Sequence, residues 1–245
     1  MILFETEGWC PMLNVILIKG KLKEIPVLLA AIIYVIWRLN RELNFDHPIA
    51  LTIESVINGG AMLLLTWWLS KKAVIKNWVE YTIFLIFIFY LYVLHTLVTY
   101  IPIEYFTTTD YIGHFHVLYE RMNLIPFYTI WQLISRTIYS PAYALQIIGN
   151  LILLTPFAFA SLTLHIIPTP RKTIFVLCLV SIGIELEQFI ETFVVSAFNY
   201  GEGRGTDIDD ILLNTLGIII GVGLYYIYNF IKNIGFKRPN HNQKN

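Results

Sequence analysis

Charge is scarce in this chain: Asp, Glu, Lys and Arg make up 14% of its 245 residues, while 56% are hydrophobic. Mean hydropathy is +0.63, which lies outside the range of ordinary water-soluble domains and makes a bilayer the expected solvent. Cysteine is nearly missing. Cys10 and Cys178 stand far apart, in no CxxC pair and no metal-ligand spacing, so neither a disulfide framework nor a zinc site is indicated. HExxH and GxSxG do not occur, which removes the familiar sequence signs of a metalloprotease or an α/β-hydrolase. There is no Gly/Ser or Pro-rich linker, no internal repeat and no low-complexity tract, so one bundle is expected. Positive and negative residues balance at 17 each, and nothing predicts a nucleic-acid partner. The first twenty residues hold Glu5, Glu7 and Pro11 and lack the basic, apolar and small-residue order of a cleaved signal peptide.

What the chain has in quantity is long apolar runs. A helix needs about twenty apolar residues to cross the hydrocarbon core, where only its own backbone can satisfy its N–H and C=O groups. Five segments meet this: Ile49 to Leu69, Trp78 to Tyr100, Pro141 to His165, Thr173 to Ala197 and Ile208 to Ile231; Ile25 to Leu39 is shorter. The expected fold class is therefore all-α, a polytopic transmembrane bundle of about six spans. Trp37, Trp67, Trp68 and Trp78 stand at span ends, where amphipathic rings suit the headgroup region.

Positive charge is retained on the cytoplasmic side during insertion. Lys19, Lys21, Lys23, Lys71, Lys72, Lys76, Arg171, Lys172, Lys232, Lys237, Arg238 and Lys244 fall on one side of the six-span arrangement. Arg38, Arg41, Arg121, Arg136 and Arg204 fall on the other. Every lysine is on the first side, so both termini are expected in the cytoplasm, and residues 101–140 outside. Without the short first span, the amino-terminal lysines would change side and the pattern would worsen.

A polar side chain within a span costs about 2.5–3.5 kcal/mol on insertion scales, so each one calls for a reason. In the fifth span Glu185, Gln188 and Glu191 follow each other at intervals of three, which is read as one polar stripe, with Glu187 elsewhere. The sixth span opens with Asp207, Asp209 and Asp210. Capping accounts for one acid there, but not for three, nor for the stripe Asp207, Asp210, Asn214 and Gly217. Gly217 and Gly221 have the small-xxx-small spacing of close helix packing. The preceding Gly-rich loop carries Arg204, whose fork suits a carboxylate or a phosphate. Asn150 lies at depth in the fourth span, six residues before a kink-forming Pro156. Arg121-Met-Asn-Leu-Ile-Pro-Phe127 reads as a dip into the interface, either re-entrant or amphipathic. His114 and His116 have a spacing that ligates metal on a strand, but no strand and no metal are expected there. Glu54 and Asn58 are read as an interhelical hydrogen-bonding pair.

Together these motifs resemble the VanZ-like family of bacterial membrane proteins. The resemblance rests on Arg121, Asn123 and Pro126 within RMNLIPF, on Asn150 with Pro156, on Glu185 with Gln188, and on Arg204, Asp207, Asp210, Asn214 and Gly217. The family pattern has Phe two residues before the proline and Gly two after it, where this chain has Leu154 and Ala158. The resemblance covers about Trp78 to Ile231. It implies residues 78–235 as the family's transmembrane domain, 1–77 as a two-span extension and 236–245 as a polar cytoplasmic tail. It also implies a bacterial plasma-membrane location and a link to teicoplanin-type glycopeptide resistance, without a defined activity.

The reading favoured at this point is non-enzymatic: the outward cluster binds a lipid headgroup, a lipid-linked cell-wall precursor or glycopeptide, or a partner. Membrane lipids are the expected surroundings, and no cofactor is implied. An interfacial enzyme on a phosphate-bearing lipid, with Glu185 as acid or base, is the alternative. A lipid or small-solute transporter is a third, although no inverted repeat accompanies it. A fourth is that Asn150, Glu185, Gln188 and Asn214 only hold helices together.

Overall fold

The computed structural model describes residues 21–42, 48–101, 103, 110–136, 140–198 and 205–236. The helices are α1 (Lys21–Glu42), α2 (Pro48–Lys72), α3 (Trp78–Val98), α4 (Val117–Glu120), α5 (Tyr128–Arg136), α6 (Pro141–Leu153), α7 (Thr155–Thr163), α8 (Pro170–Val195) and α9 (Ile208–Phe236). Two-residue strands β1 (Met122–Asn123) and β2 (Thr206–Asp207) complete the described elements. Local chemistry sets the boundaries. Asn77 accepts from Glu80 N at 2.9 Å to cap α3, and Thr169 and Ser140 cap α8 and α6, each followed by a proline suited to the first turn. Pro156 cannot continue the hydrogen-bond ladder, and at Leu154 (φ −103°, ψ 0°) the fourth span breaks into α6 and α7.

Five helical stretches are long and apolar enough to cross a membrane: Ile49–Lys72, Trp78–Val98, Pro141–Thr163, Pro170–Val195 and Ile208–Ile234. The more polar α1 has 22 residues, or about 33 Å at 1.5 Å per residue. Its contacts show how far it reaches. At one end Lys23 Nζ donates to Ala73 O at 2.8 Å and Lys71 pairs with Glu24. At the other, Arg38 bonds Tyr100 and lies 3.6 Å from Glu54. Thus α1 runs the height of the bundle beside α2 and α3, in keeping with about six spans.

The core has two parts. Phe84, Phe87, Ile88 and Leu91 of α3 meet Val27, Ala31 and Tyr34 of α1 together with Ala160 and Leu164. Leu154, Leu162, Leu177, Ile184, Ile218 and Val222 join α7, α8 and α9. On α9, a Cβ placed at Gly217 would lie 1.9 Å from Leu151 O, and one at Gly221 would lie 2.4 Å from Thr155 O. Only glycine permits this approach to the broken span, and Thr155 Oγ1 donates to Gly217 O across it at 2.9 Å.

The two ends differ in charge. Where α2 ends and α3 begins, the buried Glu80 accepts from Lys232 Nζ (3.0 Å), Lys76 N (2.7 Å) and Asn77 Nδ2 (3.1 Å). Lys71, Lys72, Arg171 and Lys172 belong to the same end by chain order. At the opposite end, Glu54 accepts from Tyr100 and from Ile103 N (2.7 Å), and Asn58 exchanges two 3.0 Å bonds with the backbone of Ile101. The Glu54 and Asn58 pair therefore fastens the chain leaving α3.

Candidate functional site

Three helices, α6, α8 and α9, supply the floor of the site at the lysine-poor end. The face of α8 turned inward carries Ser181, Glu185, Gln188 and Thr192, all buried. Hydrocarbon offers such groups no hydrogen bonds, so this face must meet polar neighbours. Asn214 of α9 donates to Ser181 Oγ at 3.1 Å, one turn below the mouth. Asn150 of α6 donates to Asp210. Glu185 Oε2 accepts from Asp207 N at 2.8 Å, which ties α8 to the start of α9.

The rim is built by chain from two distant stretches. β1 and β2 pair in parallel, with Met122 opposite Thr206 and Asn123 opposite Asp207; Thr206 N donates to Arg121 O at 3.0 Å. Asn123 Nδ2 donates to Asp207 Oδ1 and to Thr129 Oγ1, both at 2.9 Å. Asp207 also caps its own helix by accepting from Asp209 N at 2.9 Å. Asp209 is fully buried and caps a different helix: its carboxylate accepts from Phe127 N (2.5 Å) and Ile130 N (2.9 Å), the free amides that open α5. Phe127 adopts φ 67°, a left-handed conformation that a bulky residue enters at a cost of about 1–3 kcal/mol. The two bonds to a carboxylate offset that cost.

Of the residues singled out from sequence, Asn123, Asp207 and Glu185 form one hydrogen-bonded chain, Asn150 and Asp210 form a second pair, and Asn214 bonds Ser181 deeper in the bundle. Gln188 is buried one turn from Glu185 on the same face. Arg121 contributes its carbonyl to the rim, and Pro126 lies in the exposed turn ahead of Phe127. Arg204 lies outside the described residues.

The structure corrects the reading of Glu191. It lines an apolar groove together with Gly183, Glu187, Ile190 and Val194, not the buried face of Glu185, because six residues along a helix rotate the side chain by about 120°. The rim also contains two short strands where none was expected. His114 and His116 set their rings edge to face at 5.5 Å, and no trio of His, Cys, Asp or Glu among the described residues is placed to hold a metal ion.

Thr129 and Ser181 escaped the sequence reading, as did the role of Asp209. A third acid in four residues was the available signal for Asp209, but its partners lie about 80 positions earlier in the chain.

Electrostatically, Glu185, Asp207 and Asp210 gather at the amino end of a 29-residue helix, where the dipole and the free N–H groups favour negative charge. Amides among the described residues donate to these carboxylates: Asp207 N, Asp209 N, Asn123 Nδ2 and Asn150 Nδ2. Asp207 and Asp210 are only half-buried, so their carboxylates can be reached from outside the bundle.

A bundle of hydrophobic spanning helices with one polar, rim-covered site at one end defines a multi-pass membrane protein in contact with membrane lipids. The VanZ/LLP1 family matches residues 81–229, and the chain belongs to that family. The matched stretch contains every joined residue of the site. No match was found among curated proteins or solved structures.

Proposed function

We propose that the protein acts at the outer leaflet of a bacterial plasma membrane, where the site binds a lipid headgroup or lipid-linked cell-wall precursor and lowers sensitivity to teicoplanin-type glycopeptides. Both termini are cytoplasmic in this reading, because the lysines gather at the end opposite the site. In the same reading residues 1–77 are a two-span extension, 78–235 the family's transmembrane domain and 236–245 a cytoplasmic tail. The observation that supports the reading is the gathering of two hydrogen-bonded sets, Asn123–Asp207–Glu185 and Asn150–Asp210, from four parts of the chain at the start of α9. Carboxylates and amides ordered in this way accept from hydroxyl and ammonium groups, which headgroups and sugar-peptide precursors carry.

The test compares teicoplanin susceptibility of a strain expressing the protein with strains expressing Glu185→Gln or Asp210→Asn at equal abundance and melting temperature. A several-fold loss of resistance in both variants is expected. Susceptibility unchanged by deletion of the whole gene would remove the glycopeptide link. Resistance retained in both stable variants would leave the cluster as a scaffold.

A further inference from the structure

The apolar face of α5 has no role in the site just described. Trp131 is 71% exposed and Ile134 54%, and the turn before them adds Ile125 at 64% and Phe127 at 66%. The opposite face of the same short helix is engaged: Leu133 is buried, and Thr129 is bonded to Asn123. A contiguous exposed patch of this kind marks a contact surface.

Three observations say what covers it. The first is height. Asp209, the second residue of spanning helix α9, holds the amides of Phe127 and Ile130 at 2.5 and 2.9 Å, and α5 leads within a few residues to Ser140, the cap of spanning helix α6. Both spans start here, so α5 stands at the mouth end of the bundle, the end at which spans of this length leave the hydrocarbon. The second is continuity. Along α6, Leu145, Ile148 and Ile152 are exposed in one row, the lipid-facing side of a span whose start adjoins α5. The third is composition: Trp131 and Tyr128 are the ring types that settle in the headgroup belt, and Arg136 at the exposed end of α5 is a cation suited to lipid phosphate.

We propose that α5 and its preceding turn are a membrane-interface anchor, inserted about 5–10 Å into the headgroup and acyl boundary, with the bilayer itself as partner. The anchor sets the depth of the site. Through Asp209 and through Asn123, which bonds both Thr129 and Asp207, α5 holds the mouth of the polar cluster level with the lipid headgroups. The claim concerns depth, not side, and so stands apart from the outward orientation proposed above.

The test uses the full-length protein in nanodiscs of phosphatidylethanolamine and phosphatidylglycerol, with Cys10→Ser and Cys178→Ser, and a nitroxide on Ile134→Cys. Collisions with oxygen are compared with collisions with a water-soluble nickel chelate, using Tyr119→Cys (in the short helix α4, 81% exposed) and Leu145→Cys as aqueous and hydrocarbon references. Oxygen collisions exceeding nickel collisions, at a depth between the two references, are expected. Nickel accessibility equal to that at Tyr119→Cys would overturn the proposal. So would low collision rates with both reagents, which would mean that a second copy of the chain covers the face. Should the Ile134 variant fail to fold, brominated lipids supply the same readout: a component of the quenching by shallow bromines that disappears in Trp131→Leu, the other tryptophans still being quenched, is expected, and quenching unaffected by that substitution overturns it.

Discussion

Replacing Gly217 by alanine puts one methyl group where the structure has no room. The new Cβ would lie 1.9 Å from Leu151 O, at least 1.1 Å inside the 3.0 Å that real Cβ contacts respect. The obstacle is backbone, so a rotamer change cannot relieve it, and α9 must shift away from α6. Overpacking of this kind costs about 1–3 kcal/mol. The shift also strains the Thr155 Oγ1 to Gly217 O bond, worth about 0.6 kcal/mol for an average bond within a membrane protein. At roughly 2–4 °C per kcal/mol for a chain of this size, the Tm in detergent falls by roughly 3–14 °C. Gly223, on the same helix, has nothing within 4 Å of its Cβ position. Gly223→Ala therefore keeps or raises the Tm, since alanine is favoured in helices by up to about 1 kcal/mol. Equal melting of Gly217→Ala and Gly223→Ala would refute the close approach of α9 to the broken span.

Asp209→Ala removes two charge-assisted bonds of about 1.5–3 kcal/mol each. Hydrogen exchange at the Phe127 and Ile130 amides accelerates more than tenfold, with Asp209→Asn intermediate because one acceptor survives. Glu54→Ala strips the buried partner from Arg38 and Tyr100 and frees Ile103 N. Breaking a buried pair costs about 3–5 kcal/mol, and the Ile103 amide exchanges faster while that of Ile101, held by Asn58, changes less. Unchanged exchange at Ile103 would show that Glu54 does not hold this segment.

The spans were legible because a bilayer imposes one simple requirement, about twenty apolar residues satisfied by their own backbone. Each expected boundary fell within a few residues of a described helix, and the break at Pro156 followed from its missing N–H. The short first span needed the structure: Lys23 on Ala73 at one end and Arg38 on Tyr100 at the other show its reach. Much of the site was also legible, since buried polar residues must find one another, and Asn150 finds Asp210 while Glu185 finds Asp207 N. Pairings that join residues remote in sequence were not legible. Asp209 reads as a cap for its own helix, yet it caps α5, and nothing local announces that Asn123 pairs beside Asp207. Spacing misled at Glu191, where steps of three drift around the helix and carry the side chain from the buried stripe to the groove beside Glu187.

The proposed outer-leaflet function requires a polar site that opens away from the cytoplasm. Intact cells expressing Tyr119→Cys or Lys72→Cys, each in a Cys10→Ser and Cys178→Ser background, can be treated with a membrane-impermeant maleimide before and after permeabilisation. Tyr119 is 81% exposed two residues before Arg121 at the rim, and Lys72 ends α2 at the opposite end of the bundle. Labelling of Tyr119→Cys in intact cells, with Lys72→Cys reactive only once the membrane is opened, is the predicted result. The reverse pattern would place the site in the cytoplasm and contradict the proposed outer-leaflet function.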